Sequence, residues 1–375
     1  MSRIGAIFRA QGESYRMAFG ARLSTDQHRV LRALAACHTP DLGGIRWHCP
    51  RCGEAVFTYR SCGNRHCPAC GHAHAQLWLA RQQRLLLPGV TYHLVTFTVP
   101  EALRRTVRLH PREALPILFD ASSSALLDLC RDPRHLGALP ALTAVLHTWT
   151  RQLLYHPHIH FLATGGGLAP DGAWRETRHT KFLVPVQALS PIFRARVRDL
   201  LRQRHPALFD AVPVSVWHQD WVVHSKPVGA GKHALAYLAR YIFRVALADS
   251  AILRADDREV VFRYRDSDTG QPRTARLAPQ EFMRRFLLHV LPSGFRKVRH
   301  YGLHHSSKRK DLRLLQAQLA FTHQLPLPPT DPPKLPPAPP PVCPHCQTAM
   351  LPETRFQPTR LRGSAHASAR GPPAP

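Results

Sequence analysis

Two Cys-x-x-Cys knuckles, Cys49-Pro-Arg-Cys52 and Cys67-Pro-Ala-Cys70, constrain this chain more than any hydrophobic pattern does. Two such thiolate pairs, close in sequence, are the arrangement that surrounds one tetrahedral Zn²⁺, so Cys49, Cys52, Cys67 and Cys70 are expected to share a structural zinc. In a small module zinc binding is itself folding energy, on the order of 10 kcal/mol or more, so the intervening YRSCGNRH need not supply an apolar core. Cys37, His48, Cys62 and His66 are left over in the same stretch. Cys37, Cys62 and His66 are candidates for a second zinc, the alternative being a buried thiol and supporting histidines. A redox role for the pairs is disfavoured, because no thioredoxin-like strand and helix surround them. Far downstream, Cys343-Pro-His-Cys346 offers two thiolates with no second pair after it, a half-site at most.

Charge narrows the partner. Lys+Arg number 51 against Asp+Glu 24, a formal net charge of +27 carried largely by arginine, which favours a polyanion such as nucleic acid. A GC-rich coding sequence would also enrich arginine, so the motifs must decide. No secretory leader pattern is visible and no apolar run approaches the roughly 20 residues that span a bilayer, so no membrane partner and a cytoplasmic location are expected.

Periodicity gives the outline. Apolar positions Val30, Leu31, Leu34 and Ala35 recur at helical spacing before the cysteines, and AQLWLARQQRLLL (75–87) reads as a basic amphipathic helix stopped by Pro88-Gly89. The stretches YHLVTFTV, LTAVLHTW, HIHFLAT, VSVWHQDWVV and VVFRYR are rich in β-branched and aromatic residues and predict strands. Helices are predicted near 113–130, 188–204, 232–248 and 278–291. Strands mixed with helices, without a regular βαβ repeat, predict an α+β domain over 88–310. It follows an N-terminal helix, zinc module and linker helix over 1–87. Residues 311–375 hold a proline-rich linker, the last knuckle and a polar tail without fixed structure.

Two motifs carry chemistry. His158 and His160, at i and i+2, fall on one face of a strand and can bind one metal ion. Two imidazoles alone hold a hard ion weakly, so a third ligand is needed, and His93, His147 and His233 are candidates. The glycines after this strand let backbone come close to something bulky, and their amides could contact a phosphate, unless they form an ordinary tight turn. Tyr237 and Tyr241, at i and i+4, share one helix face with Arg240 and Arg244 beside them. A phenol with a pKa near 10 is a poor nucleophile at neutral pH, so Mg²⁺ or Mn²⁺ on the histidines would supply the missing polarisation of a phosphate.

The succession ACHTPDLGG, CPRCGEAVFTYRSCGNRHCPAC, YHLVTFTVP, VLHTWTRQLLYHPHIHFLATGGGL, the Lys-Pro of HSKPVGAGK, YLARYIFRVA and FRKVRHYG resembles the two-tyrosine, rolling-circle HUH transposases of bacterial insertion sequences, over residues 10–310. The resemblance implies an HUH nuclease domain, a central antiparallel sheet flanked by helices, behind a zinc-binding module. It implies that His158 and His160 bind Mg²⁺ or Mn²⁺ while Tyr241 and Tyr237 attack single-stranded DNA, leaving a 5′-phosphotyrosine and a free 3′-OH. Lys226, Arg240 and Arg244 become DNA-binding candidates. One departure is Ile45, where many relatives carry histidine, although His48 is near. A plasmid-type replication initiator would use the same nicking chemistry. A zinc-dependent DNA-binding protein whose tyrosines only pack is the non-catalytic alternative.

Overall fold

The computed structural model describes residues 2–231, 233–235, 247–266, 269–331 and 339–358, with only the backbone of 72–74. Its first helix, α1 (Arg3–Phe19), starts where the Ser2 hydroxyl accepts from the Gly5 amide, and α2 (Thr25–Ala36) starts at a reciprocal cap between Ser24 and Gln27. Both caps satisfy amides that a helix start leaves without intrahelical partners. Next come β1 (Gly44–His48), β2 (Ala55–Tyr59) and α3 (Pro68–Gln83). α3 begins earlier than the amphipathic stretch from Ala75 because Pro68 occupies its first turn, where the fixed φ suits a helix and the missing N–H costs nothing.

The middle of the chain runs β3 (Thr91–Thr98), α4 (Glu101–Leu109), α5 (Pro111–Arg131), β4 (Ala141–Trp149), β5 (Tyr155–Thr164), β6 (Gly166–Leu168), β7 (Trp174–Glu176), α6 (Val186–Arg204), α7 (Pro206–Asp210) and β8 (Val223–Ala230). Beyond it lie β9 (Ile252–Ala255), β10 (Val260–Arg265), β11 (Pro272–Leu277), α8 (Pro279–Leu287), β12 (Val298–Gly302), α9 (Arg309–His323) and β13 (Leu351–Phe356).

A five-stranded antiparallel sheet in the order β12-β4-β5-β3-β8 organises the fold. Strand alternation gives its two faces different covers. Val95, Phe97, Leu146, Ile159 and Phe161 pack against α5 and α6, where Phe97 meets Phe161 and Phe193 edge-on at 5.5 and 5.0 Å. Tyr92, Leu94, Val145 and Leu162 face the other way, under Leu312, Leu315 and Leu319 of α9 and under Ala234 and Leu235. Buried Gln316 on α9 donates to the Arg84 and Leu86 carbonyls, which ties α9 to the end of α3.

A second core joins distant segments. Phe8 of α1 packs with Phe262 of β10 and with Phe282 and Phe286 of α8. Asp249 accepts hydrogen bonds from the Ser2 hydroxyl (2.7 Å) and from the Arg3 and Ile4 amides (2.8 and 2.9 Å). Its carboxylate therefore sits at the positive end of α1, where the helix dipole favours it. At the far end of the chain β13 pairs with β1, making a three-stranded sheet β13-β1-β2, so the segment after the proline-rich stretch returns to the N-terminal module.

Two expectations need correction. VSVWHQDWVV is not a strand throughout: Val214–Trp217 forms a 3-10 turn and only Val223 enters β8. Trp217 and Trp221 stack at 5.9 Å and the Trp221 indole N–H donates to the Val216 carbonyl, so tertiary burial overrides the β propensity of these side chains. The glycines after the histidine strand do not present a phosphate cradle either. Gly165 donates its amide to the Thr91 carbonyl, Gly166 and Gly167 lie in the β6–β7 pair, and all three are buried. A Cβ would stand 2.5 Å from Trp174 at Gly166 and 2.7 Å from Leu139 at Gly167, so glycine serves close packing here. The helix expected over 232–248 lies largely outside the described residues. Among the described residues, no helix is long and apolar enough to cross a membrane.

Candidate functional site

Three histidines converge on the sheet face that α9 covers. His158 and His160 project from β5 on the same side, and β4 brings His147 directly opposite His158 in the antiparallel register. Ring nitrogens of the three lie within 4.8 Å of one another, with ring centroids 4.6–5.4 Å apart. His147 is buried and the other two are half-buried, which leaves the cluster open on one side. Sheet register makes His147 the third member of the cluster: His93 points to the opposite face with Val95 and Phe97, and His233 is exposed outside it.

The surroundings fix the orientation and charge of two of these rings. The His158 Nδ1–H donates to the His156 carbonyl at 2.7 Å, which leaves the Nε2 lone pair available to a metal. His160 Nδ1 lies 2.8 Å from the Thr96 hydroxyl on β3, a contact that holds the orientation of that ring. Burial pushes the His158 pKa down to about 4, and burial together with His158 and Lys226 holds His160 well below the usual imidazole value. Both are therefore neutral at pH 7, the form that binds a metal. Three ring nitrogens with an open side fit a divalent ion, and nitrogen donors suit Mn²⁺ better than Mg²⁺. Lys226, on β8, stands opposite Leu94 of β3 and so lies on the same sheet face as Thr96 and the cluster. Tyr237, Tyr241, Arg240 and Arg244 lie outside the described residues, but Ala234 and Leu235, just before Tyr237, are buried in the core beneath this same sheet face.

The cysteines are distributed differently from the reading by spacing. Cys67 and Cys70 come together with Cys37 and Cys62, at Sγ–Sγ distances of 3.5–3.7 Å. Cys49 and Cys52 instead meet Cys343 and Cys346. A single zinc on Cys49, Cys52, Cys67 and Cys70 is thus not what the fold builds. The first knuckle forms the turn of the β1–β2 hairpin, which carries it away from the second, while α2 ends at Cys37 and delivers that thiol to Cys67. His66 stays outside the thiol group, and its amide bonds the Asn64 side chain. In the first cluster hydrogen bonding from Cys62 lowers the Cys67 thiol to about 5, while burial lifts Cys37 to about 12. A dication supplies the positive charge that four thiolates need to coexist.

Beside this face a groove of about 880 Å³ runs along edge strand β12, lined among others by Arg296, Arg299, His300 and Arg309. Arg299 lies over the Phe119 ring at 4.3 Å and 3.7 Å from Asp120. Among the described residues neither Arg296 nor Arg309 is in an ion pair.

A small zinc-binding module attached to an antiparallel sheet with a histidine triad defines the class of this protein. Comparison with known proteins makes it particular. A family model for a "Transposase zinc-binding domain" of the IS91 type matches residues 7–99, and one for a "Putative transposase" matches residues 141–311. The chain is 35% identical over 343 residues to "Putative transposase y4qJ" of Sinorhizobium fredii, covering 87% of this chain and 85% of that protein. It is 27% identical over 288 residues to the "Transposase for insertion sequence element IS801" of Pseudomonas savastanoi pv. phaseolicola, covering 72% of this chain and 68% of that protein. The chain belongs to this IS91/IS801 family of transposases.

Proposed function

We propose that the protein nicks and rejoins single-stranded DNA during rolling-circle transposition, with Tyr241 and Tyr237 as nucleophiles and His147, His158 and His160 holding Mn²⁺ or Mg²⁺. The observation that carries this reading is the convergence of three imidazoles on a sheet face whose cover includes the residues leading into Tyr237. A divalent ion bound there neutralises charge on the scissile phosphate. Two of the histidines are aimed by a partner, the His156 carbonyl for His158 and Thr96 for His160.

In the cleavage step a phenol Oη gives up its proton and bonds to phosphorus while the P–O3′ bond breaks. The 3′ oxygen takes up a proton, leaving a 5′-phosphotyrosine and a free 3′-OH. Rejoining is the reverse: a 3′-OH attacks the phosphotyrosine, its proton returns to the phenol, and no oxidant or hydrolytic water is consumed. Two tyrosines let one hold the first strand while the other cuts the second. Residues 88–310 carry this chemistry, and the zinc module before them contributes to holding the DNA. Lys226 beside the triad, with Arg240 and Arg244, is suited to the phosphate backbone, as are Arg296 and Arg309 along β12.

The test is cleavage of a labelled single strand in Mn²⁺ by the full chain and by His158→Ala. The variant is expected to lose cleavage while keeping DNA binding and its full zinc content, because triad and thiolates occupy separate parts of the fold. Undiminished cleavage would overturn the reading.

A further inference from the structure

We propose that Cys49, Cys52, Cys343 and Cys346 form a second tetrathiolate zinc site, which staples the segment after the proline-rich stretch onto the N-terminal module. Half of this site lies outside residues 7–99, the reach of the zinc-binding family match.

The sulfur geometry fits a metal. A Zn–S distance of about 2.3 Å sets the edge of a tetrahedron of sulfurs at about 3.8 Å. Cys49–Cys346, Cys52–Cys343 and Cys52–Cys346 stand at 3.4, 3.5 and 3.8 Å. All four cysteines are free, and their separations are far beyond the roughly 2 Å of a disulfide.

The backbone supplies an independent argument, because the two knuckles are built alike. The Cys49 amide donates to the Glu54 carbonyl and the Gly53 amide to the Cys49 carbonyl. Likewise the Cys343 amide donates to the Thr348 carbonyl and the Gln347 amide to the Cys343 carbonyl. Gly53 and Gln347, at equivalent positions, both turn the chain with positive φ, 76° and 58°. For glutamine that conformation is uncommon, so the repeat of the turn reflects a requirement to aim two sulfurs at one point.

Packing alone gives little reason for the arrangement. The local core is Cys49, Cys343 and Met350, with Trp47, Val56 and Cys346 at its edge, while Cys52 is exposed. A thiol kept only for its apolar character would be buried. The strand pairing β1–β13 is short and is interrupted between Arg46 and Trp47. Binding requires each thiol to lose its proton to solvent as its S–Zn bond forms, and no electron is transferred.

Zinc content of the purified full chain, measured by mass spectrometry of the metal, tests this. Cys343→Ser with Cys346→Ser is expected to lose one zinc per chain, Cys62→Ser a different one, and the combination two, whatever the histidines hold. Unchanged zinc in the first variant overturns the proposal. Should that variant fold poorly, Cys346→His, which can still ligate, is expected to keep the zinc that Cys346→Ser gives up to a chelator, and equal loss from the two overturns it. A protease site placed among residues 332–338 and then cut gives a second readout. The C-terminal piece is expected to stay with the rest in zinc buffer and to leave on chelation, and release in zinc buffer or retention in chelator contradicts the staple.

Discussion

Thr96→Val asks whether the triad is aimed for a metal or merely packed. The substitution keeps the shape of a half-buried side chain on β3 and removes one hydroxyl, 2.8 Å from His160 Nδ1. A neutral imidazole carries its proton on either nitrogen, and a metal on Nε2 requires the Nδ1–H tautomer. With Thr96 gone, the metal-free ring can switch tautomer, whereas the metal-bound ring must leave its Nδ1–H without that partner. The cost therefore falls on the bound state, about 1–3 kcal/mol for an unmet donor away from water. At 1.4 kcal/mol per tenfold this is roughly 5–150-fold in affinity, in line with the ~10–100-fold typical when a ligand's supporting partner is removed. Titration of Mn²⁺ into the folded protein, followed by the electron paramagnetic resonance of the free ion, reads that affinity without any catalytic step. Unchanged Mn²⁺ affinity, with zinc content and fold intact, would refute the reasoning.

Further outcomes are expected elsewhere. Gly302→Ala should destabilise the fold by about 3 kcal/mol or more, since the backbone there has φ +59° and a Cβ would stand 1.9 Å from the Pro140 carbonyl oxygen; thermal unfolding checks it, and a Tm within a degree or two of the parent would be contrary. Phe97→Ala removes a fully buried ring packed against Phe161 and Phe193 and should cost about 3–5 kcal/mol by chemical denaturation, with little effect on bound zinc. Replacing Arg296 and Arg309 together by alanine should reduce the salt dependence of single-strand binding by about 1.4 in the slope of log K against log salt, at about 0.7 per lost phosphate contact. An unaltered slope would remove the β12 groove from the DNA path.

The sheet was largely legible in the sequence because its strands alternate cleanly. β3, β4 and β5 fall almost where YHLVTFTV, LTAVLHTW and HIHFLAT predict, and the i, i+2 histidines share a face as alternation requires. The third histidine of the cluster was not legible, since choosing His147 over His93 depends on which strands pair and in what register, a non-local property. The cysteines misled for a related reason. Spacing recognises a knuckle but cannot tell which knuckles meet, and Cys49 and Cys52 find their partners beyond a proline-rich stretch that carries no pairing signal. Cys37 and Cys62, expected to share a second zinc with His66, group with Cys67 and Cys70 instead. The stretch around Trp217 and Trp221 failed because aromatic residues favour strands only where a pleated neighbour exists, and here a packed turn absorbs them.

Attack by Tyr241 and Tyr237 on DNA is tested most directly by chemistry. The protein would be trapped with a labelled single strand in Mn²⁺, digested, and the nucleotide-bearing peptide located by mass spectrometry. The expected adduct is a 5′-phosphotyrosine on the peptide containing Tyr237 and Tyr241, abolished by the double change Tyr237→Phe with Tyr241→Phe. Strand cleavage that persists in that double variant, or an adduct on any other residue, would contradict it.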